Sequence, residues 1–225
     1  MDNLRQLGIK GEYMPYDANL PVRLPKRIGG RMAYRCDCPI TILGRLEAKM
    51  IGRALHSKNL LPQRIFVSPA MRCIATARGL LKGLQMSGLR MCIEPGLCKV
   101  DKKYTPVMTR EQVEVCQSER VQQFYERCGK VVRKLLENNA DVKSMLLIVH
   151  SSTMDAISRE LLGHRPEALS RSQMEQMGFY YPYSAFVAFE EQKEDNTWHV
   201  IDDALPPLTC RKFSNCVDRA FLDRP

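Results

Sequence analysis

The chain has 225 residues, of which 44% are hydrophobic and 26% charged, and its formal net charge at neutral pH is +9. That length suits one large α/β domain with a full core and is short for two. No apolar run approaches the roughly 18 residues of a membrane helix, and "MDNLRQLGIKGEYMPYD" has neither an apolar h-region nor a small-residue cleavage site, so neither a secretory signal nor an anchor is visible and a cytoplasmic protein, or a nuclear one, is expected.

Residues 1–38 carry Pro15, Pro21 and Pro25 with Gly8, Gly11, Gly29 and Gly30 and show no sustained periodicity, which predicts an irregular segment lying over the surface of a domain that spans 39–225. The densest basic cluster, Arg23, Lys26, Arg27, Arg31 and Arg35, lies here, interleaved with proline and glycine rather than with aromatic residues on which bases could stack. A solvated basic loop is the plain reading, and a nucleic-acid or anionic-partner surface is the alternative.

Thr41 can cap a helix whose Leu43, Leu46, Met50, Ile51, Ala54 and Leu55 share a stripe. "RIFV" at 64–67 reads as a buried strand, and a helix follows through about Gln85 with Ile74, Ala77, Leu81 and Leu84 inward. "RMCI" at 90–93 reads as another strand. From Ser118 to about Asn138 the spacing of Val121, Phe124, Tyr125, Cys128, Val131, Val132, Leu135 and Leu136 predicts a long amphipathic helix. "MLLIV" at 145–149 is a continuous run of the kind buried on both faces of a parallel sheet. A helix over about 155–162 and strands at 184–189 and 197–201 complete a three-layer α/β sandwich with a mostly parallel sheet.

Nine cysteines in a chain placed in a reducing compartment read as thiols, and none of the close pairs has the C-x2-C spacing of a zinc knuckle. No glycine-rich nucleotide loop is present. Cys73 and Cys128 each precede an arginine, Arg78 and Arg133, with four residues between, one fewer than a cysteine phosphatase loop needs. No cofactor and no metal is implied.

Two strand-to-helix junctions carry the chemistry. In "FVSPAMRCIATA" the strand ends at Ser68-Pro69 and Arg72 enters the first helical turn, where a guanidinium beside free backbone N–H groups and the positive end of the helix dipole suits a phosphate or carboxylate. In "LLIVHSSTMDA" His150 stands at the C-terminal end of a buried strand, the edge of an open α/β sheet where ligands bind.

Taken in order, "PITILGRLEA" at 39–48, "SPAMRCIATARGLLKGLQ" at 68–85, "IEPGL" at 93–97 and "LLIVHSST" at 146–153 resemble the histidine phosphatase superfamily, the phosphoglycerate mutase-like fold. Within it the chain is most similar to the C-terminal phosphatase domain of the ubiquitin-associated and Src-homology-3 domain-containing proteins. The resemblance runs from about Gly11 through "LPPLT" at 205–209. It implies that Arg72 binds phosphoryl oxygens, that His150 donates to the same oxygens, that Ser151 follows where the family has small residues, and that the domain forms a homodimer.

The chain also departs from the family. The nucleophile belongs to an Arg-His-Gly triplet at the end of the first strand, whereas His56, His150, His164 and His199 follow leucine, valine, glycine and tryptophan. The family's first strand is therefore expected to be missing, with residues 1–10, including Leu4, Leu7 and Ile9, as partial filling. The family's acid lies five residues beyond the glutamate of "EPGL", and that position is Lys99 here. An ammonium would attract a phosphate that a carboxylate repels. The expectation is a pseudophosphatase that holds phosphate or a phosphorylated protein or small molecule on Arg72, His150, Lys99 and Ser151 without cleaving it. Two alternatives stand beside it: an active phosphomonoesterase or protein tyrosine phosphatase domain completed by an upstream Arg-His-Gly strand, and the basic-surface binder.

Overall fold

The computed structural model describes residues 13–28, 30–34, 37–97, 119–164, 169–210 and 213–224. Lys99 and residues 1–10, both invoked above, lie outside them. The N-terminal residues described are irregular apart from a short 3-10 helix, Gly30–Tyr34. Helix α1, Ile42–Ser57, starts where expected, with the Thr41 hydroxyl accepting from the Gly44 N–H at 3.0 Å. Strand β1 is Arg64–Val67, helix α2 Met71–Leu84 and strand β2 Met91–Ile93. Gln85 ends α2 in the left-handed region at φ 58°. A 3-10 turn, Pro95–Leu97, follows β2.

Helix α3, Val121–Glu137, buries Phe124, Tyr125, Cys128, Val132 and Leu135, as its spacing predicts. Strand β3 is Met145–Ile148 and helix α4 Ser151–Leu161. Helix α4 therefore starts four residues earlier than expected, directly after His150. Helix α5, Arg171–Tyr180, was not anticipated because its apolar residues are sparse, although the Ser170–Gln173 capping box is a readable start signal. Strands β4, Ala188–Gln192, and β5, Thr197–Ile201, form an antiparallel hairpin. Residues 184–187, expected in strand, instead turn through Ser184 at φ 62°, whose hydroxyl donates to Glu47 at 2.8 Å. Short strands β6, Thr209–Cys210, and β7, Phe213–Ser214, precede the terminal turn α6, Arg219–Leu222.

Strand β1 lies between β2 and β3, all parallel, with Phe66 opposite both Cys92 and Leu147. Its side chains alternate across the sheet. Ile65 and Val67 pack with Ala48, Ile51, Leu55, Ala77 and Leu84 of α1 and α2, while Phe66 packs with Val132, Leu135 and Ile157 of α3 and α4. Helices thus cover both faces, the mixed α/β architecture expected.

Two expectations are corrected in the core. Leu46 and Met50 are 51% and 42% exposed rather than inward. The reason is that α1 and α2 approach most closely at two glycines, so the contact face is Ala48, Ile51, Gly52 and Leu55; a Cβ on Gly52 would lie 2.2 Å from the Leu80 carbonyl oxygen, and one on Gly83 2.1 Å from that of Lys49. Strand β3 is the other: Met145, Leu146 and Leu147 are only partly buried. Among the described residues β3 pairs with β1 alone, so it is an edge strand, and an edge has one flank without covering neighbours. No described helix is long and apolar enough to cross a membrane.

Candidate functional site

The C-terminal ends of β1 and β3 lie side by side, with Ser68 N–H donating to the Ile148 carbonyl at 3.0 Å. The residues that follow each strand therefore meet. Ser68, fully buried, places its hydroxyl 2.9 Å from His150 Nε2. Arg72, one residue into α2, places Nη2 3.1 Å from His150 Nδ1. A guanidinium has donors only, so Nδ1 accepts, the ring proton sits on Nε2, and Nε2–H donates to the Ser68 hydroxyl. Burial first, and the Arg72 charge second, push the His150 pKa down to about 3, so the imidazole is neutral at physiological pH.

Ser151 opens α4, and His150 is its N-cap residue without a side-chain cap bond. The first turn of that helix, with the positive end of its dipole, starts at the imidazole. Cys73, buried at 5% exposure, has its sulfur 3.8 Å from Nε2 and 3.9 Å from Nδ1. Arg72, His150 and Ser151 are therefore brought to one place.

One expectation about this site changes. The first N–H of α2, that of Met71, is not left for an external anion, because it donates to Oδ1 of Asp37 at 2.8 Å. Asp37 is fully buried; its Oδ2 accepts from Arg27, and Arg72 Nη1 is 3.5 Å from Oδ1. Asp37, Arg27 and Ser68 were not picked out as site residues by the sequence reading. Arg27 stood in a run of charges that read as solvated, and a lone aspartate in an irregular segment carries no periodic signal. A groove of about 300 Å³ beside the β4–β5 hairpin, lined by Phe186, Val187, Val200 and Leu205 among others, contains none of these site residues.

A parallel α/β sheet with an arginine and a histidine converging at its strand ends is the architecture of a class of phosphoryl-handling folds. Residues 25–181 match the family model of the histidine phosphatase superfamily, branch 1, and the chain belongs to that superfamily. It is 30% identical over 227 residues to human ubiquitin-associated and SH3 domain-containing protein B, covering 89% of this chain and 34% of that protein. It is 29% identical over 227 residues to the ecdysteroid-phosphate phosphatase of Drosophila melanogaster, covering 90% of this chain and 29% of that one. The chain spans about a third of the length of the curated relatives it matches. The crystal structure of the ecdysone phosphate phosphatase of Bombyx mori in complex with tungstate superposes with a TM-score of 0.73 at 23% identity, over 93% of this chain and 88% of that one, which bears out the phosphoglycerate mutase-like fold.

Proposed function

We propose that the 225-residue chain binds a phosphoryl group at His150, Arg72 and the first turn of α4, and does not hydrolyse it. The observation that carries this reading is the 3.1 Å contact between Arg72 Nη2 and His150 Nδ1, which leaves the imidazole proton on Nε2. When a phosphoryl oxygen arrives, Nε2–H turns from Ser68 to donate to it, Arg72 supplies the positive charge, and the Ser151 N–H faces the same anion. Lys99, which lies outside the described residues, would add a second cation if it stands where the resemblance puts the family's acid. The tungstate held by the Bombyx mori protein, an anion of phosphate-like shape, supports the ligand class.

Turnover requires more than a cradle. None of the four histidines lies in an Arg-His-Gly triplet, and the acid's position is Lys99. General acid catalysis contributes about 10² to 10⁴ in rate, and removing a nucleophile costs up to about 10⁶ in other enzymes. We therefore read this chain as a cytoplasmic phosphate- or phosphoprotein-binding module, with homodimer formation as part of the same proposal.

Purified protein, checked for folding by circular dichroism, is assayed on p-nitrophenyl phosphate and titrated calorimetrically with phosphate, tungstate and a phosphotyrosine peptide. Binding without turnover is expected. Folded protein that binds none of them overturns the reading.

A second reading has its own support. β3 ends at Ile148, two residues before His150, and has no strand partner on its outer edge among the described residues, and the relatives include proteins named as phosphatases. An added strand carrying an Arg-His-Gly triplet would place a nucleophile beside His150 and make the domain a phosphomonoesterase or protein tyrosine phosphatase. Turnover that His150→Ala and Arg72→Ala both abolish would favour this reading over the first. The basic-surface reading is weakened, because Arg27 is turned inward onto Asp37 while Arg23 and Lys26 remain exposed.

A further inference from the structure

Ala70, the N-cap residue of α2, offers no side-chain acceptor, and Asp37 takes that place from 34 positions earlier in the chain through the Met71 N–H. Its carboxylate is thus an internal anion at a helix N-terminus. Arg27 neutralises it, donating also to the Ala33 carbonyl at 2.8 Å, with its guanidinium 5.4 Å from the Tyr34 ring centre. The second guanidinium, that of Arg72, is split between two partners: Nη1 faces Asp37 at 3.5 Å and Nη2 donates to His150 at 3.1 Å. A planar group anchored at both terminal nitrogens has its rotation fixed, and its side chain is still 36% exposed.

We infer that Asp37 is a positioning residue for anion recognition: through the Arg72 fork it sets the guanidinium edge presented to a phosphoryl group beside His150. The inference rests on the phosphoryl-binding reading above and assigns Asp37 no contact with the ligand. Two consequences separate this role from a structural one. Removing the carboxylate matters to the ligand only while Arg72 is present, and it alters the hydrogen bond at His150 Nδ1 even without ligand.

The test is a double-mutant cycle on the full chain, with tungstate and phosphate titrated against wild type, Asp37→Asn, Arg72→Ala and the pair, each checked for folding by circular dichroism. Asp37→Asn is expected to weaken tungstate about tenfold, the size of one misplaced charge-assisted hydrogen bond, and to change affinity less than about twofold when Arg72 is already alanine. Unchanged or tighter binding in Asp37→Asn overturns the inference, and so does an equal loss in both backgrounds. If Asp37→Asn does not fold, Asp37→Glu, which keeps the charge and displaces it by one methylene, takes its place in the cycle.

A second readout needs no ligand. The 15N resonances of the His150 ring report an Nδ1 acceptor in the wild type and are expected to move in the Asp37 variant; unmoved resonances overturn the positioning role. A wild type that binds no anion removes the phosphoryl-binding reading and this inference with it, whereas binding in the wild type with a failed cycle or unmoved resonances removes only the role of Asp37.

Discussion

Arg72 Nη2 lies 3.1 Å from His150 Nδ1, although 78 positions separate the two residues along the chain. Each follows a strand of the same parallel pair, so the sheet register decides the contact. Arg72→Lys keeps the charge and loses the fork that spans Asp37 and His150. Phosphate and tungstate affinity is expected to fall about tenfold in calorimetric titration. Retention of wild-type affinity in Arg72→Lys would mean that charge alone, and not the fork, holds the anion.

The neutral state of His150 predicts a pH dependence of stability. Its pKa is about 3 in the folded chain, against the usual 6.5 that an unfolded chain shows. Between these values the unfolded chain takes up a proton that the folded chain does not. Stability is therefore fully present above about pH 6.5 and falls as the pH drops toward 3, by at most about 1.4 kcal/mol per pH unit from this group. Urea denaturation at pH 7, 6, 5 and 4 should show a shallower loss in His150→Gln than in wild type. Parallel curves would show that the folded imidazole is protonated.

The α1–α2 contact tolerates no side chain at its closest points. Gly52→Ala and Gly83→Ala each drive a Cβ to within 2.2 Å or less of a backbone oxygen, which no rotamer change relieves. A loss of about 3 kcal/mol or more is expected in thermal or denaturant unfolding. Gly88→Ala, where nothing lies within 4 Å of the new atom, is the control and should stay within about 0.5 kcal/mol of wild type.

Asp155 is the centre of a second buried network. The Tyr181 hydroxyl donates to its Oδ1 at 2.8 Å and that of Tyr125 to Oδ2 at 2.5 Å, while Arg159 lies 3.3 Å and Arg224 3.6 Å from Oδ2. Burial raises both phenol pKa values, and the Asp155 charge raises them further, so both tyrosines remain donors. Asp155→Ala leaves the arginine charges without their carboxylate and is expected to cost about 3–5 kcal/mol, against about 1–2 kcal/mol for Tyr181→Phe. Urea midpoints at neutral pH distinguish the two, and equal losses would place the tyrosine rather than the charge at the centre of the network.

Local pattern alone located β1 and β5, the start of α1 and the apolar face of α3, because apolar spacing and a cap residue act within a few positions of themselves. The motif order led to the superfamily, and with it to Arg72 and His150. Tertiary structure decided the rest. It turned Leu46 and Met50 outward, because α1 and α2 approach most closely at Gly52 and Gly83, which sets the Ala48, Ile51, Gly52 and Leu55 face inward. Among the described residues it left β3 with β1 as its one strand neighbour, because the coverage of a strand is set by its neighbours and not by its own apolarity. It filled the start of α2 with the carboxylate of Asp37, 34 residues upstream, because a buried N–H and a buried charge each need a partner and the fold supplies whichever complementary group it brings within reach.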